Sequence, residues 1–425
     1  MDSCINSHIH MTRSGTPSSR PMMAAAFAAL GCLAFGSPSE AAHFKCAGGD
    51  VSCLITAIRE ANVNGKRNTI SLGAGVYTVT DVDNTSGPFS FNGFPVITGR
   101  IDINGVSAET TIIERLEFAP RFRFFEINET ASLSLKGLTV HGGGGGGDTI
   151  GTRNVPAIAE GGGILVYGTL SLSDCIVRGN WARNGGGVHV RGQATVSRST
   201  LTSNRASVLG GGIYAFNADV VIENSTIMSN GALFGAGIDA VGASVNIAST
   251  TMVLNVAFGG GAITEGVPDA PPWTISPSAI EVRSSTLVMN GATVAAGGIV
   301  LQNGTVSLQG SIVAFNTVGR PSLYPADCQA AVTSLGFNLI GDAAQCPIVM
   351  LPSDINGDPV LGAFVNDGTP GEGYFPLLPD SPAIDAGGQQ LKGHRALVDG
   401  CSKTDQIGQR RVGLCDIGAI EFHPK

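Results

Sequence analysis

Long apolar runs are nearly absent from this chain. The only one, Met22 to Phe35, is short for a bilayer, so no transmembrane segment is expected in the mature protein. Metal-ligand clusters are missing too: no CxxC pair and no grouped histidines stand near the cysteines, which excludes an ordinary zinc site. The run Gly142 to Gly147 lacks the Lys-Ser/Thr of a phosphate loop and reads, with His141, as a flexible corner. Asp354 to Asp358 opens like a calcium loop, but Pro359 and Val365 occupy the places of the required glycine and glutamate. Basic charge is also scarce. With 25 Lys and Arg against 33 Asp and Glu, the net charge is −8 and no basic stripe offsets it, so nucleic acid is excluded as a partner. No cofactor or metal is expected.

What the chain does have is a repeat. Asn180, Asn204, Asn230, Asn255, Asn290 and Asn316 recur, the first four at intervals of 24, 26 and 25 residues. A small-Gly-aliphatic triplet precedes each, ending at Ile164, Val188, Ile213, Ile238, Ile263 and Ile299. Eight residues before the asparagine stand Leu172, Val196, Ile222, Ile247, Val282 and Leu308, and a second aliphatic column lies ten before it. Three before it lie Val177, Leu201, Ile227, Met252, Leu287 and Val313. Self-similarity of this period signals stacked coils, and the columns define three short strands per coil. Stacking at ~4.8 Å gives each strand two parallel neighbours. The fold expected is all-β: a right-handed single-stranded parallel β-helix, its hand following from the crossover rule. Corners take glycine or asparagine, which accept left-handed backbone, and stacked asparagines can exchange amide hydrogen bonds. The sixty glycines stand in fixed register, which rules out low complexity. A Pro-rich insertion around Pro268 to Thr274 explains the long interval between Ile263 and Ile299.

The ends differ from the repeat. Residues 1–41 read as a secretory signal: Arg13 and Arg20, the apolar run, then small residues suiting cleavage after Ala41. A lipoprotein alternative at Ala29 to Cys32 fits poorly, because leucine stands two before the cysteine. Seven cysteines then remain, and an exported chain permits disulfides. Cys46, Cys53, Cys328, Cys346, Cys401 and Cys415 fall into three sequence-local pairs and are disulfide candidates. Cys175 occupies a column otherwise filled by serine and threonine and reads as a small packed residue. Residues 42–69 form an amino-terminal cap whose stretch Leu54 to Asn62 has helical spacing, 70–342 the β-helix, and 343–425 an irregular carboxyl cap.

These end segments resemble a known family. Cys46, Cys53 to Asn62 and Thr69 to Tyr77 are similar to the CSLREA-type amino-terminal motif of exported bacterial β-helix proteins. Ser334 to Gly341, Asp358 to Gly362, Ser381 to Gly387 and Cys415 to Glu421 resemble the choice-of-anchor Q region. The resemblance implies an exported, often surface-associated β-helix with no common activity. Ile407 departs from the usual arginine. No anchoring segment follows the region, so release from the cell or retention by contacts is expected.

For chemistry, the strand after each triplet offers the best face. On the parity opposite the core it carries His189, Tyr214 and Asp239 in a row, with Tyr167, Arg191 and Phe216 two residues along. Aromatic rings beside ionic groups suit a sugar polymer, and these six are the candidate ligand-binding residues. Tyr214→Ala with Phe216→Ala should then abolish glycan retention with little effect on thermal stability. Catalysis has less support. Asp239 is alone in its column, whereas hydrolysis by paired carboxylates needs two acids on one face, and Glu265 falls on the inward parity. Asp385, Asp405, Asp416 and Glu421 lie beside Arg410 and Arg411 and read as ion pairs within the cap. An outward threonine ladder at 200, 226, 251 and 286 reads as packing on an exposed strand. The reading is a monomeric secreted or cell-surface protein that binds polysaccharide or another surface. The alternative is a polysaccharide lyase or glycoside hydrolase using His189, Arg191 and Asp239.

Overall fold

The computed structural model describes residues 41–87, 90–145, 160–265, 276–319, 324–329, 331–388 and 401–424. Most of the segment expected to be a secretory signal, the Pro268 to Thr274 insertion and the end of the glycine run lie outside them.

The coils stack in register as parallel strands. Leu170, Ala194, Val220, Val245, Ile280 and Val306 stand directly over one another, as do Leu172, Val196, Ile222, Ile247, Val282 and Leu308. Both columns are buried, together with the triplet aliphatics and the column three before the asparagine, and these form one continuous core. Each full coil holds four strands, not three. Thr169–Ser173, Ile176–Arg178, Trp181–Asn184 and Val188–Val190 make up one coil, and the next repeats them. The resulting sheets have 11, 11, 7 and 8 strands in that order around the coil. The seven-stranded sheet follows the asparagine and leaves no large aliphatic column in the sequence, because its repeated buried positions are alanines, Ala182, Ala206 and Ala257. Coils also continue toward the amino end, through Arg67–Leu72, Arg100–Asn104 and Ser132–Lys136, where the glycine triplet is lost.

The asparagine ladder is continuous. Each side-chain Nδ2 donates to the next coil's Oδ1 at 2.9–3.1 Å, from Asn180 up to Asn316, and Asn316 donates to Asp327 Oδ1. The same Oδ1 accepts the backbone N–H of the coil below, so no amide hydrogen is left idle in the buried column. The residue before the triplet aliphatic packs close to this ladder; it is glycine in five coils and Ala262 in the sixth, where Asn255, Asn290 and Asn316 keep the ladder unbroken. A Cβ on Gly187 would lie 3.2 Å from the Asn204 amide and 2.6 Å from the Gly212 carbonyl oxygen. The ladder asparagines are not the left-handed residues; that conformation falls one residue earlier, at Gly179, Ser203, Ser229, Leu254, Met289 and Phe315. For a residue with a Cβ it costs about 1–2 kcal/mol. A second ladder of small residues runs beside it, with Cys175 N–H donating to Ser199 Oγ and Ser199 N–H to Ser225 Oγ. Cys175 is a buried member of that column, and burial pushes its thiol up to about 11.

Both ends are closed. The helix Val51–Val63 buries Leu54, Ala57, Ile58 and Ala61, and Asp50 caps it by accepting the Cys53 N–H. The Cys46–Cys53 disulfide ties it to the strand His43–Cys46, which precedes it and pairs with Arg67–Leu72. The other two cysteine pairs join as Cys328–Cys346 and Cys401–Cys415. The carboxyl tract reaches further than an end cap. After Ile355–Asn356 completes the sheet that precedes the asparagine, the chain turns back along that sheet's outer side as a strap. Phe375, Leu377, Ala383 and Ile417 of the strap pack on Val253, Val288 and Ile312 of the coils.

The threonine ladder expected on an exposed strand is therefore covered. Gly371 N–H donates to Thr200 Oγ1, Gly373 N–H to Thr226, and Ala419 N–H to Thr286, while Thr251 donates to Gln406 Oε1. The reason lies in the adjacent outward column, Met228, Val253, Val288 and Ala314, which is apolar and needs a cover. Within the strap, Arg411 pairs with Glu421 at 3.2 Å with both side chains buried, in line with ion pairing. Asp405 and Asp416 accept backbone N–H groups of the same knot.

Candidate functional site

Two places bring polar chemistry together: the row predicted after the triplets, and a cleft beside the strap. The row forms in register. Glu126, Leu165, His189, Tyr214, Asp239 and Thr264 succeed one another strand by strand. It is not a solvent-exposed face. His189, Tyr214 and Asp239 are 0%, 2% and 0% exposed. The cover comes from the left-handed glycine at the preceding corner, which folds the chain across each side chain. A Cβ on Gly185 would lie 2.7 Å from His189 Cβ, and one on Gly235 would lie 2.6 Å from Asp239 Cβ. Tyr214 packs with Leu209 and Val241 and touches the His189 ring at 4.8 Å. Tyr214→Ala would thus empty a packed site, contrary to the small stability effect expected from sequence.

Only the rim of the row reaches solvent. Tyr167, Arg191 and Phe216 are half-buried. Arg191 is engaged, pairing with Glu160 at 2.7 Å and lying 4.9 Å over the Phe216 ring. Burial, then the Glu160 charge, raises the Tyr167 phenol. Glu160 Oε2 stands 3.7 Å from His189 Nδ1, yet the imidazole stays neutral. Burial, then the Arg191 and Arg123 charges, holds it well below its ordinary range.

Sequence reasoning missed Arg123, Glu126 and Glu160. Arg123 is fully buried, donating through Nη1 to Glu126 Oε2 and Ser90 Oγ, both at 2.9 Å. Burial lowers its guanidinium despite Glu126. These residues precede the first glycine triplet, and the alternation from Phe122 to Ile127 was the available sign of a strand there. Inward-facing Glu265 is a clamp: its carboxylate accepts the N–H groups of Ser278, Gln302, Asn303 and Gly304. Asp354, first residue of the calcium-like run, accepts from Asn338, Ser334 and Leu351. Among the described residues, no three His, Cys, Asp or Glu gather as a metal site, and no helix is long and apolar enough to cross a membrane.

The cleft lies where the strap crosses the flank. A cavity of about 520 Å³ is lined by Lys136, Asp174, Arg198, Asn224, Glu372 and Gln406 among others. A second, of about 590 Å³, meets it at Ser107, Ala108, Thr369 and Pro370. Arg198 and Asp174 form a two-pronged ion pair at 2.7 and 3.1 Å. Asp174 is held below the usual carboxylate range, chiefly by Arg198. Burial, then Asp367, raises Glu372. Asn224 donates to Asp405 O, and Gln406 bonds to Thr226 and Thr251, so both are fixed by bonds across the seam between coil and strap. Cations, carboxylates and amides thus line a concave surface large enough for a few sugar rings. No protein-family model and no curated protein matches this chain.

Proposed function

We propose that this chain is an exported β-helix protein that binds polysaccharide, or another surface rich in hydroxyls, in the flank cleft. The observation that carries the reading is the lining of that cleft: paired charges and anchored amides around a concavity of about 520 Å³. Neutral hydroxylated ligands are bound by such mixed donors and acceptors without a large charge penalty. Burial of His189 and Asp239 speaks against the lyase or hydrolase alternative, since a polymer cannot reach them without moving the corner glycines. The resemblance to CSLREA-type and choice-of-anchor Q proteins points the same way. Its motifs coincide here with the lid helix and the Arg411–Glu421 knot, both of which close and hold the solenoid. Three disulfides agree with passage through an oxidising compartment after removal of residues 1–41.

The test is a glycan-binding screen of the mature 42–425 fragment, with turnover of uronate and neutral glycans followed in parallel. Arg198→Ala with Glu372→Ala should weaken retention of any bound glycan about tenfold or more, a loss near 1.4 kcal/mol. The melting temperature should hardly move, because exposed ion pairs contribute about 0–1 kcal/mol. Binding that is indifferent to both substitutions, or turnover that vanishes in His189→Ala, would overturn the proposal.

A further inference from the structure

The left-handed corner before each ladder asparagine changes character along the solenoid. It is Gly179, Ser203 and Ser229 in three coils, then Leu254, Met289 and Phe315 in the next three, with φ of 56°, 56° and 60°. Large side chains are poorly suited to this backbone, where glycine and asparagine are at ease. Burial does not compensate here, since the three are 48%, 43% and 42% exposed. Neither local conformation nor the core of one chain accounts for three such residues in succession.

They do not stand alone. The pairing of Val253 with Val288, and of Val288 with Ala314, sets the three at successive ~4.8 Å steps. Beside them the seven-stranded sheet exposes Leu233, Val256 and Phe258, with Val294 just beyond it. Leu233, Leu254 and Val256 also share a shallow trough with Trp181. None of the seven ridge residues is charged. The strap, which covers the apolar column of the neighbouring sheet, makes its contacts on the other side of this corner.

We propose that this ridge is the contact surface for a second copy of the chain, two solenoids lying side by side about a two-fold axis. Seven side chains exposed to this degree present roughly 500–600 Å² of apolar surface, which with a polar rim approaches the ~800 Å² per partner of a stable interface. A two-fold contact sets the same patch against itself, which suits seven apolar side chains, while exposed Arg205, which lines the same trough, adds a polar group beside them. A stepped row of side chains also offers its own copy matching ridges and grooves. The monomer expected from sequence gives way to a concentration-dependent dimer.

Sedimentation velocity of the oxidised mature chain, from 1 to 100 μM, tests this. The wild type should pass from monomer toward dimer across that range. Leu254→Asn, Met289→Asn and Phe315→Asn combined should remain monomeric throughout. Its melting temperature at 1 μM should equal or exceed that of wild type, because asparagine accepts the left-handed backbone. Phe258→Glu supplies an independent variant outside the corner and should weaken association at least tenfold. A wild type that stays monomeric at 100 μM would overturn the proposal. So would variants that still dimerise, or a triple variant that melts earlier while the wild type shows no association.

Discussion

Asn255 shows how much one residue carries in this molecule. Its Nδ2 donates to Ile227 O and to Asn290 Oδ1, both at 2.9 Å, and its Oδ1 accepts from the backbone and side chain of Asn230. Asn255→Ala would leave four buried groups each short of a partner. At about 1–3 kcal/mol for an unsatisfied group, offset by partial relaxation, a loss of about 3 kcal/mol is expected in urea denaturation with an unchanged slope. A loss below about 1 kcal/mol would mean that water replaces the ladder. The ladder was legible in the sequence because the same side chain does the same job in every coil. The burial of His189 was not. Its cover is the backbone at Gly185, and a glycine carries no side chain whose pattern could announce what it touches.

At the scale of elements, the strap knot has a charge state that should be visible in stability. Asp416 accepts the Asp385 N–H at 2.7 Å and also that of Phe422, but burial outweighs these bonds and raises its carboxyl to about 6. A carboxyl with a raised folded-state pKa binds its proton more tightly when folded. Its contribution is fully present below its ordinary value of 3.8 and is lost as pH rises through about 6. Asp416→Asn should therefore gain stability relative to wild type as pH is raised from 4 to 6.5, read as a widening difference in melting temperature. A constant difference would place the titration elsewhere. Sequence reasoning foresaw the ion pairing in this knot, but not where the knot sits. The strap's side-chain bonds to the coils span 133 to 182 residues of chain, in no fixed register with the repeat, so the period itself carries no sign of it. The apolar column Met228, Val253 and Val288 was the one trace of it. The fourth sheet was missed for a related reason, since alanines fill its core column where a strand search looks for β-branched residues.

For the molecule as a whole, the strap changes what kind of solenoid this is. Coils in a repeat protein contact only their neighbours, so opening can begin anywhere and spread. Here one segment bonds to Thr200, Thr226, Thr251 and Thr286 in succession, and Gly418 N–H reaches the Gly310 carbonyl in the coil after them. Five coils are thereby held by a member that runs along the axis, and to open any of them alone is to break strap contacts shared with the rest. Their amides should exchange with hydrogen as one cooperative unit together with residues 371–387 and 401–422. Gln406 is the keystone, since its amide joins Thr226, Thr251, Gly371 and Gly373. Gln406→Ala with Thr226→Val should lower strap protection at least tenfold and let the coils from 200 to 310 exchange with separate opening energies. If the strap is instead a passive cover, its own amides alone will lose protection while the coils keep a graded, neighbour-by-neighbour pattern in wild type and variant alike.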